Sequence, residues 1–88
     1  MLETVWVFNG ANSSFPSAIF HGKEEAVEWI NRMKLSGTLT EYPVGISVYD
    51  WVINKGKWQP KQPHHLTADF IAKFSSAYQD HYHFEDGE

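Results

Sequence analysis

Hydrophobic positions along this chain fall first into a period of two, then into a period near 3.6, and the switch between them sets out the elements. Thr4-Val-Trp-Val-Phe8 is a β-branched and aromatic run that closes on Asn9-Gly10, a turn dipeptide. A polar stretch over 11–14 leads to Phe15-Pro-Ser-Ala-Ile-Phe20. The pair predicts a β-hairpin with a loop of about four to six residues. Pro16 donates no ladder hydrogen bond, so the second strand belongs at a sheet edge or starts after Pro16.

Lys23 to Lys34 then reads as a helix. Ala26, Trp29, Ile30 and Met33 share one apolar stripe, widened by Val27. Glu24 and Glu25 in the first turn and Arg32 and Lys34 in the last complement the helix dipole. Glu28 and Arg32 form a favourable i,i+4 pair, and Gly37 is the expected stop. Thr38 to Tyr42 alternates again, with Leu39 on one face and Thr38, Thr40 and Tyr42 on the other; Pro43 and Gly45 end it.

Ser47 is placed to cap a second helix, with Asp50 in its first turn, Val48, Trp51 and Val52 as its stripe and Gly56 just past its end. A strand over 44–53 competes on composition, but the start and stop signals favour the helix. Lys57 to Pro63 is extended, because each proline disfavours helix in the residue before it, and it has room for a short strand around Trp58. Thr67 caps a last helix with Asp69 in its first turn and Phe70, Ile71, Phe74, Ala77 and Tyr78 as its buried stripe. His81-Tyr-His-Phe-Glu85 predicts a closing strand with Tyr82 and Phe84 on one face, and 86–88 is expected to fray. The order β-β-α-β-α-(β)-α-β implies one α+β domain over 1–88, a mostly antiparallel sheet of four to five strands layered with three helices.

Composition narrows the function. Four Trp, six Phe and four Tyr supply the bulk for a core in an 88-residue chain. No Cys is present, which excludes disulfides and thiolate metal sites and fits a reducing compartment. The start lacks a basic, apolar leader pattern and no apolar run is long enough for a bilayer, so a cytoplasmic protein without membrane contact is expected. A formal charge of −4 argues against nucleic acid and is compatible with a basic protein partner.

Trp6-Val7-Phe8-Asn9-Gly10, Glu28-Trp29-Ile30, and above all Leu39-Thr-Glu-Tyr-Pro43 followed by Ser47-Val-Tyr-Asp-Trp51 and Gly56 resemble a family of small uncharacterised bacterial proteins of about this length. Phe70, Phe74 and His81-Tyr82-His83 look like the same family's end. The resemblance spans nearly the whole chain and carries no assigned activity. Size and acidity add an analogy with immunity and antitoxin proteins, which block a toxin domain.

No stretch reads as catalytic machinery. Asp50, Glu41 and a histidine have acid–base chemistry, but Asp50 is explained by helix capping and Glu41 by a strand surface. No phosphate loop or nucleophile motif is found, so no enzyme and no cofactor are expected. His81 and His83 share a strand face, His64 and His65 precede the last helix, and Glu85 or Asp80 is near enough in sequence to add a carboxylate. With no Cys and no helical His pair, these histidines are expected to face solvent or make hydrogen bonds rather than hold a metal. Below pH ~6.5 they gain charge at any interface they line.

Trp6, Trp29 and Trp51 read as core. Trp58, between Lys57 and Gln59 in a Pro-bounded segment, is the tryptophan expected at the surface. Tyr49, on the far side of its helix from Val52, joins it as a candidate anchor, since Trp and Tyr are enriched in binding hot spots. The sequence therefore points to a non-catalytic protein-binding module of the immunity type that occludes a basic toxin, such as a nuclease. Its candidate partner-binding residues are Glu24, Glu28, Tyr49, Trp58, Asp80 and Glu85. The alternatives are a homo-oligomeric or structural domain joined through Trp58 and the first hairpin, and a His-dependent metal or small-molecule binder.

Overall fold

A computed structural model of the chain describes residues 3–88. Four strands, β1 (Thr4–Gly10), β2 (Pro16–Phe20), β3 (Gly37–Pro43) and β4 (His81–Phe84), form one open antiparallel sheet in the order β2-β1-β3-β4. Three helices complete it: α1 (Lys23–Met33), α2 (Val48–Asn54) and α3 (Ala68–Ala72), the last preceded by a 3-10 turn over Pro63–Leu66. This is the α+β arrangement expected from the switching periods. Pro16 begins an edge strand, where its missing N–H costs no ladder bond. Among the described residues no helix is long and apolar enough to cross a membrane.

The period-two pattern of β1 is decisive. Trp6 and Phe8 point to the helix side and are buried, while Val5 and Val7 point to the other face. Cross-strand pairing sets Phe8 beside Leu39 and Trp6 beside Glu41, and α1 lays Ala26 and Ile30 over them. Trp29 packs edge-on against Phe8 with ring centres 5.6 Å apart and leans on Phe20 at 5.5 Å. Met33 keeps the spacing of this stripe but, as the last residue of the helix, is 55 % exposed.

Several ends differ from the sequence expectation. The first strand runs through Asn9 and Gly10, with an irregularity between Phe8 and Asn9, and the turn falls at Ala11 and Asn12. Helix α1 stops at Lys34, which adopts the left-handed conformation itself. Gly37 is instead the first residue of β3, where a Cβ would sit 2.2 Å from the Asn9 carbonyl oxygen and 2.7 Å from Phe8 Cζ. It is a glycine for close strand packing, not a helix stop. At the start of α1, Glu25 Oε1 accepts the backbone N–H of His21 at 3.0 Å and of Gly22 at 3.1 Å. That half of a capping box works without a side chain on the N-cap residue.

Helix α2 forms as its signals predict: Ser47 Oγ accepts the Asp50 N–H at 3.0 Å, and Gly56 follows with φ +71°. No strand forms around Trp58. Thr67 caps α3 through the Phe70 N–H, but that helix closes at Lys73, so Ala77 and Tyr78 lie beyond it and are exposed. The segment 86–88 does not fray. Gly87 is buried, its N–H donates to Leu35 O at 2.8 Å, its carbonyl accepts from the Asn31 side chain, and the Asp86 N–H donates to Ser36 Oγ at 2.9 Å.

Gly37→Ala should lower the free energy of unfolding by about 2–3 kcal/mol, the usual cost of forcing extra volume into packed structure. Gly10→Ala, whose added Cβ meets only a side-chain carbon at 3.9 Å, should cost clearly less. Urea midpoints of the two variants, compared at constant m, test the difference.

Candidate functional site

The helix-covered half of the molecule gathers the carboxylates. Residues 3–43 and 80–88 together carry nine carboxylates against three basic side chains, whereas 44–79 carries four lysines against two aspartates. Glu24 and Glu28 are exposed one turn apart on α1 and flank a shallow groove of about 440 Å³ with Lys23, Val27 and Asn31. Lys23 is drawn away from them, its Nζ lying 3.8 Å from the centre of the Tyr82 ring. Arg32 meets Glu28 at 3.4 Å in a fully exposed pair of little energetic weight. Through Asn31 and Gly87 the same end of the helix holds the terminal turn that carries Glu85 and Glu88.

Of the sequence-predicted residues, Glu24 and Glu28 border one groove on α1, and exposed Glu85 precedes the turn docked at the C-terminal end of that helix. Asp80 does not join them. It lines a crevice at the far end of β3 with Thr4, Glu41, Trp51, Tyr78 and Gln79, and its carbonyl accepts the Glu41 N–H at 2.9 Å. Glu41 itself is engaged, accepting the Thr4 hydroxyl at 2.6 Å. Buried Gln79 accepts the Ser76 hydroxyl at 3.1 Å beside the same crevice.

Tyr49 and Trp58 depart furthest from expectation. Tyr49 is 6 % exposed and its hydroxyl donates to the His65 carbonyl at 2.8 Å. Its ring packs edge-on against Trp58 at 5.7 Å and Phe74 at 5.4 Å. Trp58 is half-buried and stacks on Phe70 at 6.0 Å, with His65 5.1 Å away. The two form the middle of a second, aromatic core that joins α2, the 57–62 segment, the 3-10 turn and α3. They hold the fold there, Tyr49 from the interior and Trp58 with part of its ring still at the surface.

His65 is the polar hinge of that cluster. Its Nδ1 accepts the backbone N–H groups of Lys61 at 3.0 Å and Gln62 at 3.2 Å, so that nitrogen must be unprotonated and Nε2 carries the hydrogen. Loss of water around the ring, and then the neighbouring His64, lower its pKa from the ordinary 6.5. The spacing of His64 and His65 gave no sign of this role, because the two donors lie between Pro60 and Pro63 and meet the ring only once the 3-10 turn forms.

On β4, His81 and His83 project to the face of the sheet that α1 leaves open, beside Thr38 and Thr40. Their ring centres are 5.3 Å apart. His81 Nδ1 lies 2.9 Å from the Gln79 carbonyl oxygen and His83 Nδ1 3.3 Å from Thr38 Oγ1. Neither Asp80 nor Glu85 completes a cluster with them: among the described residues no three His, Asp or Glu side chains gather around one point. Strand residues on this face include Val5, Val7, Asn9, Ile19 and Tyr42, and Ser75, Ser76 and Ala77 border it beside His81.

The chain belongs to the family described as a domain of unknown function, DUF7710, which matches residues 5–88. No curated protein and no solved structure matches it. Membership in the DUF7710 family thus covers the sheet, all three helices and the docked terminal turn, and brings no activity with it.

The stability of this DUF7710 domain should fall as pH drops below about 6.5. The unfolded chain takes up a proton on His65 near its ordinary pKa while the folded chain resists it, so the contribution is full above that value and is lost as pH falls toward the lowered one. His65→Asn keeps an acceptor near the Nδ1 position and does not titrate. Urea unfolding at pH 7.5 and pH 5.0 should show a smaller pH difference for this variant than for the native chain.

Proposed function

We propose that this chain is a non-catalytic protein-binding module that meets a basic protein through its acidic helix flank, and that it acts as an immunity-type inhibitor occluding a bacterial toxin such as a nuclease in the cytoplasm. The observation that carries this reading is the segregation of charge. Nine of the carboxylates lie in the sheet half, and Glu24 and Glu28 border an open groove on α1 with the Glu85-bearing turn at its end. A surface of that kind steers a positively charged partner and covers its nucleic-acid-binding site by complementarity of charge and shape. Glu24, Glu28 and Glu85 are the carriers; Asp80 acts from a separate crevice, and Tyr49 and Trp58 act only by holding the fold.

A second reading rests on a different observation. Phe15 and Ile19, at 77 % and 66 % exposure, stand on the hairpin beside edge strand β2. Exposed apolar residues next to an unpaired strand favour self-association through the first hairpin. Sedimentation equilibrium separates the two, because a tight symmetric dimer weakened by Ile19→Lys belongs to the second reading alone.

Charge reversal tests the first. The basic product of an adjacent reading frame should bind the native chain, and Glu24→Lys with Glu28→Lys should weaken that complex about tenfold or more, mainly through slower association at low salt. Binding that is indifferent both to the reversal and to salt, or no binding to any basic neighbour, would sink the proposal.

A further inference from the structure

The two histidine pairs look alike in sequence and differ in what their free nitrogens offer. In His65 the Nδ1 lone pair is spent on two backbone donors, which leaves an N–H at Nε2 and no ligand atom. His81 is the reverse case. Its Nδ1 faces a carbonyl oxygen, which only accepts, so Nδ1 carries the hydrogen and Nε2 presents a lone pair. A metal-ligating histidine is held in the same way, with its second ring nitrogen donating to a carbonyl or other acceptor. His83 Nδ1 is within reach of the Thr38 hydroxyl oxygen, and donation to it leaves the His83 Nε2 free in turn.

Separation agrees with tautomer. With metal–nitrogen bonds of about 2.0–2.1 Å, two imidazole rings on one tetrahedral ion have centres roughly 5 Å apart. The rings of His81 and His83 already stand 5.3 Å apart, nearly perpendicular at 88°. Strand geometry accounts for their sharing a face, and the Nδ1 contacts account for their orientation.

We propose that Nε2 of His81 and Nε2 of His83 together chelate one borderline divalent transition-metal ion, Zn²⁺, Ni²⁺ or Cu²⁺, on the open face of β4. Imidazole nitrogen favours these ions over Mg²⁺ and Ca²⁺, which take oxygen ligands. No third His, Asp or Glu side chain joins the pair among the described residues, so water or an exchangeable outside donor fills the remaining positions. The site is of the open kind, weaker than a closed four-ligand centre and accessible from solvent. It lies on the opposite side of the sheet from Glu24 and Glu28 and does not depend on the partner proposed for them.

Calorimetric titration of the full chain with ZnCl₂ and, separately, NiCl₂ at pH 7.5 tests the site. One ion per chain is expected. His81→Ala and His83→Ala should each weaken binding about tenfold or more, on the scale of losses known for disturbed metal sites. His64→Ala should leave it unchanged. Both strand histidines are exposed, and melting curves without metal verify that their variants keep the fold. Absence of binding by the native chain, or binding that persists when both histidines are replaced, would overturn the proposal.

Discussion

Where Ile30 and Ala26 of the first helix come down on Phe8 and Leu39, the two central strands and the helix meet in one contact from which the rest of the molecule is built outward. All four side chains are at 2 % exposure or less. Phe8 and Leu39 are direct cross-strand neighbours, so the face the helix covers is decided by strand register. A one-residue slip would carry both to the open face and replace them with Val7 and Thr40. Burying each large side chain contributes about 1.5–3 kcal/mol, and the small Ala26 lets the helix approach closely enough to collect it. Gly37 belongs to the same constraint, because the register that pairs Phe8 with Leu39 also brings the start of β3 against the Asn9 carbonyl. Outer strands β2 and β4 then add Phe20 and Phe84 around that contact, and the terminal turn closes over the end of the helix.

The second core obeys a different rule. Helices α2 and α3 are seven and five residues long, too short to persist on their own amphipathic faces. What holds them is a set of rings, Tyr49, Trp58, His65, Phe70 and Phe74, drawn from four separate segments. Each polar edge in that set has a partner: the Tyr49 hydroxyl meets the His65 carbonyl, and His65 Nδ1 meets two backbone donors. A neutral imidazole can accept those donors and stack on its neighbours at once, which an aliphatic residue at this position could not do.

Much of this was legible in the residues because local signals and tertiary packing agree. The period-two runs, the stripe of α1 and the Ser47 to Gly56 bracket each specify an element without knowledge of its neighbours. Failures cluster where the deciding contact is remote. Ala77 and Tyr78 continue the spacing of α3 in sequence, yet the chain leaves the helix at Lys73 and runs through Ser75 and Ser76 to bring Gln79 into the crevice beside β3. Gly37 looks like a helix stop until the strand partner that crowds it is known. Tyr49 and Trp58 read as candidate interface anchors, and the rings of Phe70 and Phe74 that pack on them come from elsewhere in the chain. For the acidic residues, sequence gives their number and the fold gives their grouping, which separates Asp80 from Glu24, Glu28 and the turn that carries Glu85.

The two proposed surfaces are physically separable, and the reason is screening. Glu24 and Glu28 stand on the helix side of the sheet, whereas the strand neighbours of His81 and His83 on the open face are the hydroxyl-bearing Thr38 and Thr40. Even the shortest dimension of the chain, 17 Å, is about twice the screening length of ~8 Å at physiological ionic strength. A divalent ion held by His81 and His83 therefore acts on a partner approaching Glu24 and Glu28 through solvent from beyond that length, where salt weakens its pull. That no carboxylate joins the two histidines among the described residues also bears on which ions they can hold. A carboxylate there would invite hard cations, which are abundant, whereas a pair of imidazoles framed by threonine hydroxyls selects for nitrogen-loving ones.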